Sequence, residues 1–321
     1  MNSIGFRCVS CKGEKGKLKY QIKGFSLISC LNCGMVSVYP VPTEDDLASF
    51  YNQSYQYENF IDKFKNKKYG KYFKLYLEEI SKYAIGRSLL EIGCSYGYFL
   101  KKAEEQGWSV LGTDISQETV KYAKEILGLK VILASLEEVD FSENRFDVVV
   151  MWHVLEHLLA PDRAISKIKT FLKENGLLCL RLPNVSSLSS RLNGKGWSWL
   201  IPPAHLHHFN PYTIRLFLEN NNLEVLFSKT QQGDSRNLLF LTLQALSSRI
   251  GLLPLLKRKA VTKQGERVYI FSTNKDTGRI VRYLNYIEKT TDVFCEILKP
   301  FLLLLRSLEL GEEIFVIARK R

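Results

Sequence analysis

The sequence predicts a doubly wound α/β protein preceded by a small cysteine-bound module, and three observations carry that expectation. From residue 88 to residue 230, buried-strand patterns alternate with amphipathic helical patterns, which is the rhythm of a mostly parallel sheet. A glycine-rich turn follows the first of those strands and opens a helix, and the next strand ends on an acidic residue. Ahead of them stand two Cys-x-x-Cys pairs, Cys8/Cys11 and Cys30/Cys33, with 18 residues between the pairs. That spacing suits a ribbon of short hairpins around one zinc ion.

The elements follow in chain order. Residues 1–42 alternate apolar and polar around the cysteines, with Gly13, Gly16 and Gly34 as turn formers and Pro40 and Pro42 closing the module. Four thiolates complete a tetrahedral zinc and leave no open position, so Cys8, Cys11, Cys30 and Cys33 read as ligands of a structural ion. Cys94, Cys179 and Cys295 are scattered, so the seven cysteines make a metal site plus free thiols, not a disulfide framework. Residues 43–84 are a helical linker. Thr43 is a good N-cap with Glu44, Asp45 and Asp46 in the first turn, and 55–83 read as a helix leading into the main domain.

Residues 85–237 hold the core. Strands are expected at 88–92, 109–113, 130–133, 146–151, 177–181 and 223–230, and helices from Gly97 to Gln106 and at 117–127, 161–173 and 213–221. Asn210 caps the last of these helices, with Pro211 at its first position. Residues 238–310 break the rhythm. Their apolar positions 280, 284, 287, 294, 297, 301, 304 and 308 recur at helical spacing, beside Lys257, Arg258, Lys259, Arg279, Arg282 and Lys299. We read 238–310 as a helical insertion before a last core strand within 311–321, completing a seven-stranded sheet.

Composition sets the outer bounds. The 321 residues are 45% hydrophobic and 24% charged, the profile of a globular chain with a sizeable core. The net charge is +12, and 17 Lys/Arg stand against 9 Asp/Glu from Lys229 onward. Anionic membrane, nucleic acid and phosphorylated substrates all suit such a balance. Residues 1–7 hold no apolar signal segment and no apolar run reaches 18 residues. The expected location is therefore the cytoplasm. The 238–310 insertion is a helical cap or dimer interface, or it rests on the inner face of a membrane or covers an apolar substrate.

Two segments carry chemistry. In the first, Glu91-Ile92-Gly93-Cys94-Ser95-Tyr96-Gly97 follows a strand and opens a helix, and Asp114-Ile115 ends the next strand. Glycines 93 and 97 let the backbone approach a ligand, the helix N-terminus offers free N–H groups, and a carboxylate at a strand end can accept both hydroxyls of a ribose. The G-x-G-x-x-G of dinucleotide sites is missing. This arrangement resembles the class I S-adenosylmethionine (SAM)-dependent methyltransferases and their Rossmann-like sheet, with Ser95 where a middle glycine is commoner. The resemblance implies that Glu91, Gly93, Cys94 and Gly97 shape the methionine pocket. It also implies that Asp114 and Ile115 hold the ribose and that Ser135 and Leu136 flank the adenine.

The second segment, Trp152-His153-Val154-Leu155-Glu156-His157, follows the fourth strand. It resembles a methyltransferase subgroup that includes ubiquinone-type O-methyltransferases and sugar methyltransferases, in which it lies between cofactor and acceptor. His153 is the first candidate for general base, since an imidazole titrates near neutrality. His207 and His208, within His205-Leu206-His207-His208, are the alternatives. Some relatives bind a divalent metal through an acidic-x-x-Glu-His arrangement, so His153, Glu156 and His157 form a candidate metal site, with a histidine of 205–208 as a further ligand. His153 stands where those relatives have an acid. H-x-x-E-H also matches a metalloprotease pattern, but the upstream cofactor motif explains its position better. Trp197 and Trp199 are candidates for stacking on an acceptor or for anchoring the loop.

The expected function is methyl transfer from SAM to an oxygen or carbon of a small acceptor, in sugar, polysaccharide or lipid-linked metabolism. An RNA methyltransferase and a non-catalytic zinc-ribbon adaptor are the rivals. Against RNA, the positive charge concentrates in the apolar insertion. Against the adaptor, Gly93, Gly97 and Asp114 are intact.

Overall fold

The computed structural model describes residues 5–43, 46–47, 67–141, 145–231, 303–305 and 307–321. Of the expected 238–310 insertion, only 303–305 and 307–310 fall within them, with residues 303–305 helical. The rest of the insertion, with its basic and apolar runs, lies outside the described residues. So does the 55–66 part of the linker helix.

The N-terminal module is a meander of β1 (Gly16–Ile22), β2 (Phe25–Cys30) and β3 (Val36–Tyr39). Each cysteine pair sits on a tight knuckle. Lys12 N donates to the Cys8 carbonyl at 3.0 Å and Gly34 N to that of Cys30 at 3.0 Å. The residue after the second cysteine of each pair is left-handed, Lys12 at φ 61° and Gly34 at φ 80°. The first knuckle thus turns at Lys12, one residue before the expected Gly13. Further along, Thr43 caps as expected, its hydroxyl accepting from Asp46 N at 3.2 Å.

The main domain opens with α1 (Lys67–Ser81), whose Phe73, Tyr76, Leu77 and Ile80 recur at helical spacing and are all buried. Then follow β4 (Ser88–Ile92), α2 (Tyr98–Glu105), β5 (Ser109–Asp114), α3 (Gln117–Glu125), β6 (Val131–Leu133) and β7 (Phe146–Trp152). After a short 3-10 turn (Leu155–His157) come α4 (Pro161–Phe171), β8 (Leu172–Pro183), α5 (Leu188–Asn193), β9 (His207–His208), α6 (Pro211–Asn220), β10 (Leu223–Gln231) and β11 (Glu313–Lys320). Seven strands form one sheet in the order β10-β11-β8-β7-β4-β5-β6. β6, β5, β4, β7 and β8 are parallel, and β11 runs antiparallel between β8 and β10.

Both faces of this sheet are covered, so its strands read as continuous apolar runs. Val148 and Val150 of β7 join Leu177, Cys179, Phe315 and Ile317 under α1 and α2. Val149 and Met151 join Leu178, Leu180, Ile314 and Val316 under α4 and α6. The alternation is the period of two that a pleated strand imposes. The strand order reverses at β4: chain leaving β4 adds β5 and β6 on one side, then β7 on the other. A crevice at the carboxyl ends of β4 and β7 is the place where such sheets bind ligands.

The ribbon is built into this domain. β9 pairs antiparallel with β3, Val36 opposite His208 and Ser37 opposite His207, and Val38 N donates to the Leu206 carbonyl at 2.9 Å. Ser10 Oγ donates to the Thr213 carbonyl at 2.7 Å, and Asn220 Nδ2 to that of Ser10 at 2.9 Å. Lys12 pairs with Asp162. Phe6, Cys8, Ile28 and Met35 share a core with Phe209, Ile214 and Phe217. Leu27, Val36 and Val38 pack with Val185, Trp197, Leu200 and Leu206. Burying each of those three aliphatic ribbon side chains contributes about 1.5–3 kcal/mol.

Candidate active site

The cofactor half of the crevice is a turn that only small residues allow. Gly93 is at φ 71°, and a Cβ there would stand 2.6 Å from Val154 Cγ2. The turn therefore presses against the segment that follows β7. Gly97 caps α2 at φ 78°, where a Cβ would meet Leu129 Cδ1 at 2.6 Å. Gly93 N and Cys94 N both donate to the Thr113 carbonyl, at 2.8 and 2.9 Å, tying the turn to the end of β5. Ser95, the departure from a middle glycine, adopts φ 48°. Its N–H donates to Asp114 Oδ2 at 2.7 Å, while Asp114 Oδ1 accepts from Ser116 N at 2.9 Å and Thr119 Oγ1 at 3.0 Å. A carboxylate offers about four lone-pair positions, and these three bonds fix its plane.

Glu91 lies beneath, buried, and its Oε2 has no hydrogen-bond partner among the described residues. Burial, and then the charge of Asp114, push its carboxyl well above the usual range. Burial does the same to the Cys94 thiol. Ile115 is 68% exposed beside Asp114. Ser135 accepts from Glu138 N at 3.3 Å in a turn after β6. Leu136 is 4% exposed and packs into the core, not outward.

The other half starts where β7 ends. His153 takes φ 57°, its N–H donating to the Arg181 carbonyl at 2.8 Å. Its ring Nδ1 is 3.3 Å from Glu156 Oε1 and its Nε2 is 3.3 Å from Glu313 Oε1. Arg181 grips Glu313 from the far side, Nε to Oε2 at 2.8 Å and Nη2 to Oε1 at 2.8 Å. Burial would lower the His153 pKa, yet the bonds to Glu156 and Glu313 raise it. Burial would raise Glu156 and Glu313. For Glu156 the bond from His153, and for Glu313 the charge of Arg181 and that bond, bring each down to about 2. Both ring nitrogens of His153 are thus taken up by carboxylates, and neither is turned to an acceptor. The expectation that His153 is the base does not match this geometry.

Glu156 is 1% exposed, and its Oε2 has no hydrogen-bond partner among the described residues. Ligating atoms of Glu156, His157 and His205 lie within 4.8 Å of one another. His205 Nδ1 donates to the Trp199 carbonyl at 2.8 Å, and a ring nitrogen of His157 bonds to the Ala204 backbone. Backbone groups thus orient both imidazoles beside Glu156, the usual support of a metal-binding histidine. Burial lowers both, His205 to about 4, so both are neutral at pH 7 as ligation requires. The structure brings His205, one of the further ligands expected from 205–208, to Glu156 and His157, while the ring of His153 lies between Glu156 and Glu313.

His207 and His208 lie elsewhere. Both are in β9, 3% and 2% exposed, with His207 Nδ1 3.3 Å from the Ser37 hydroxyl of the ribbon. Burial lowers their pKa, that of His207 to about 4. Trp197 is buried, its Nε1 3.4 Å from Glu312 Oε2. The Trp199 ring stacks on His153 (5.0 Å, 3°) and on His205 (5.7 Å, 17°). Sequence reasoning missed Arg181 and Glu313. They lie 132 positions apart and meet only because β11 pairs with β8.

In the ribbon, Cys8 and Cys33 sulfurs lie 3.5 Å apart, as do those of Cys11 and Cys30. Disulfide sulfurs lie about 2.05 Å apart, whereas zinc–sulfur bonds of about 2.3 Å make a tetrahedron with edges of about 3.8 Å. The four ligating atoms cluster within 4.8 Å. The donor set fits a structural zinc.

A glycine turn and two acidic residues stand at the sheet's switch point, and a carboxylate–imidazole cluster follows the neighbouring strand, whose Met151 is opposite Ile92. The chain belongs to the methyltransferase-domain family, whose model matches residues 55–227. It is 28% identical over 151 residues to a ubiquinone biosynthesis O-methyltransferase of Bradyrhizobium diazoefficiens, covering 44% of this chain and 59% of that one. It is 31% identical over 143 residues to an uncharacterised protein of Methanocaldococcus jannaschii, covering 42% and 66%. A SAM-dependent methyltransferase structure from Archaeoglobus fulgidus aligns with 83% of this chain and 100% of its own, at 18% identity and TM-score 0.49.

Proposed function

We propose that the chain transfers the methyl group of SAM to an oxygen or carbon of a small acceptor, a sugar, polysaccharide unit or lipid-linked intermediate. The observation that carries this reading is the pairing of the 93–97 turn with the carboxylate–imidazole cluster on neighbouring strand ends, Ile92 opposite Met151. Glu91 Oε2, a buried acceptor without a donor, fits the ammonium of a methionine moiety. Asp114, held flat by its three bonds, fits a ribose, with Ile115 beside it. When bound, SAM supplies an electrophilic methyl on a sulfonium. The chain's part is to hold that methyl in line with the acceptor and to exclude water, effects that account for much of the rate.

On the acceptor side, Glu156, His157 and His205 fit a divalent cation, which would polarise an acceptor hydroxyl and lower its pKa. His157 and His205 are oriented by backbone groups, and their ligating atoms lie within 4.8 Å of one another and of Glu156. His207 and His208, buried in β9, support the segment that carries His205. The ribbon cysteines hold a zinc whose role is structural.

The test is transfer from radiolabelled SAM to a panel of nucleotide sugars, lipid-linked sugars, quinols and RNA, with chelator-treated protein that keeps its ribbon zinc. The account expects label in a small acceptor, with turnover restored at least tenfold by added Mn²⁺ or Mg²⁺. Full turnover without added cation removes the metal, and label only in RNA replaces the acceptor class.

A further inference from the structure

We propose that His153 and Glu313 are positioning residues that aim Glu156 at the cation held with His157 and His205; this rests on the metal reading above. The chain of contacts runs Arg181–Glu313–His153–Glu156. Arg181 holds both oxygens of Glu313, Glu313 Oε1 lies 3.3 Å from His153 Nε2, and His153 Nδ1 lies 3.3 Å from Glu156 Oε1. One carboxylate oxygen of Glu156 is thereby occupied. The other, Oε2, is buried and has no hydrogen-bond partner among the described residues, so the contact selects which oxygen the cation meets.

The supports of this chain are rigid. Arg181 lies in β8, Glu313 opens β11, and His153 follows β7, three adjacent strands of one sheet. Trp152 stands opposite Arg181, and Glu313 opposite Pro183. His153 is held at φ 57°, a strained conformation for a non-glycine residue that persists only where surroundings fix it. Its ring also stacks on Trp199, the residue whose carbonyl orients His205. The His153 ring therefore touches one of the three ligands, Glu156, and the support of a second, His205. Partners that orient metal ligands are worth about 10–100-fold in affinity.

The experiment titrates Mn²⁺ into protein retaining its ribbon zinc, counting free Mn²⁺ by its electron paramagnetic resonance signal. SAM affinity is measured in parallel. Wild type is expected to bind one Mn²⁺ and Glu156→Gln to bind none. Glu313→Gln and His153→Ala are expected to weaken Mn²⁺ about 10–100-fold with SAM affinity unchanged. His153→Gln, which keeps one donor, is expected to recover part of the loss, and serves where Glu313→Gln does not fold. Wild-type Mn²⁺ affinity in Glu313→Gln or His153→Ala overturns the positioning role. So does tighter binding, which would show His153 merely repelling the cation. No Mn²⁺ bound by the wild type sinks the metal reading itself, and the inference with it.

Discussion

Glu91 shows how function is bought against stability at a single residue. Its folded pKa is raised by burial and by Asp114, so the folded state resists the charge that the unfolded chain carries freely. The sign follows: a carboxyl raised above its unfolded value costs stability as pH climbs past about 4.3. Glu91→Gln removes that cost together with the negative charge that would pair with an ammonium. The variant is expected to melt at the same or a higher temperature, with a flatter stability–pH curve above about pH 4.3, while SAM affinity drops at least tenfold. Calorimetric melting across pH, with SAM titrations alongside, checks both halves. A variant that melts several degrees lower and binds SAM normally would make Glu91 a structural acceptor only. The 93–97 turn, Asp114 and the four cysteines were legible because local spacing dictates them. The role of His153 was not, because it depends on a positive φ and on Glu313, placed by a distant strand.

At the scale of elements, the two-residue strand β9 joins parts that the sequence presents as separate. The alternating strands and helices of the core were readable from hydrophobic period. β9 was not, since two residues carry no period and their strand character comes from pairing with β3. The histidines were recognised as chemically apt, but only the pairing shows that His207 and His208 face burial while His205 reaches Glu156. Zinc binding and ribbon folding are coupled in small cysteine modules, so removing zinc should loosen both partners of this pairing. Hydrogen exchange is the readout. Chelation is expected to expose the amides of 36–39 and 206–209 to fast exchange while 89–92 and 110–113 stay protected. Unchanged protection at 206–209 in zinc-free protein would show that β9 holds its place without the ribbon.

For the whole molecule, the account joins a SAM crevice on one side of the β4–β7 switch point to a carboxylate–imidazole cluster on the other, with a zinc ribbon bracing the segment that carries His205. Among the described residues no helix is long and apolar enough to cross a membrane. The seven-stranded sheet was predictable because each β-α unit repeats one pattern, and β11 because 313–318 form a clear apolar strand. Its antiparallel seat between β8 and β10, which delivers Glu313 to His153, follows from sheet pairing and not from local sequence.

The measurement that bears most directly on the central claim is calorimetric titration of the purified chain with SAM and S-adenosylhomocysteine, in wild type and Asp114→Ala. The account predicts micromolar binding of both ligands at one site, weakened at least tenfold in the variant. No binding of either ligand, or equal binding by Asp114→Ala, would contradict it.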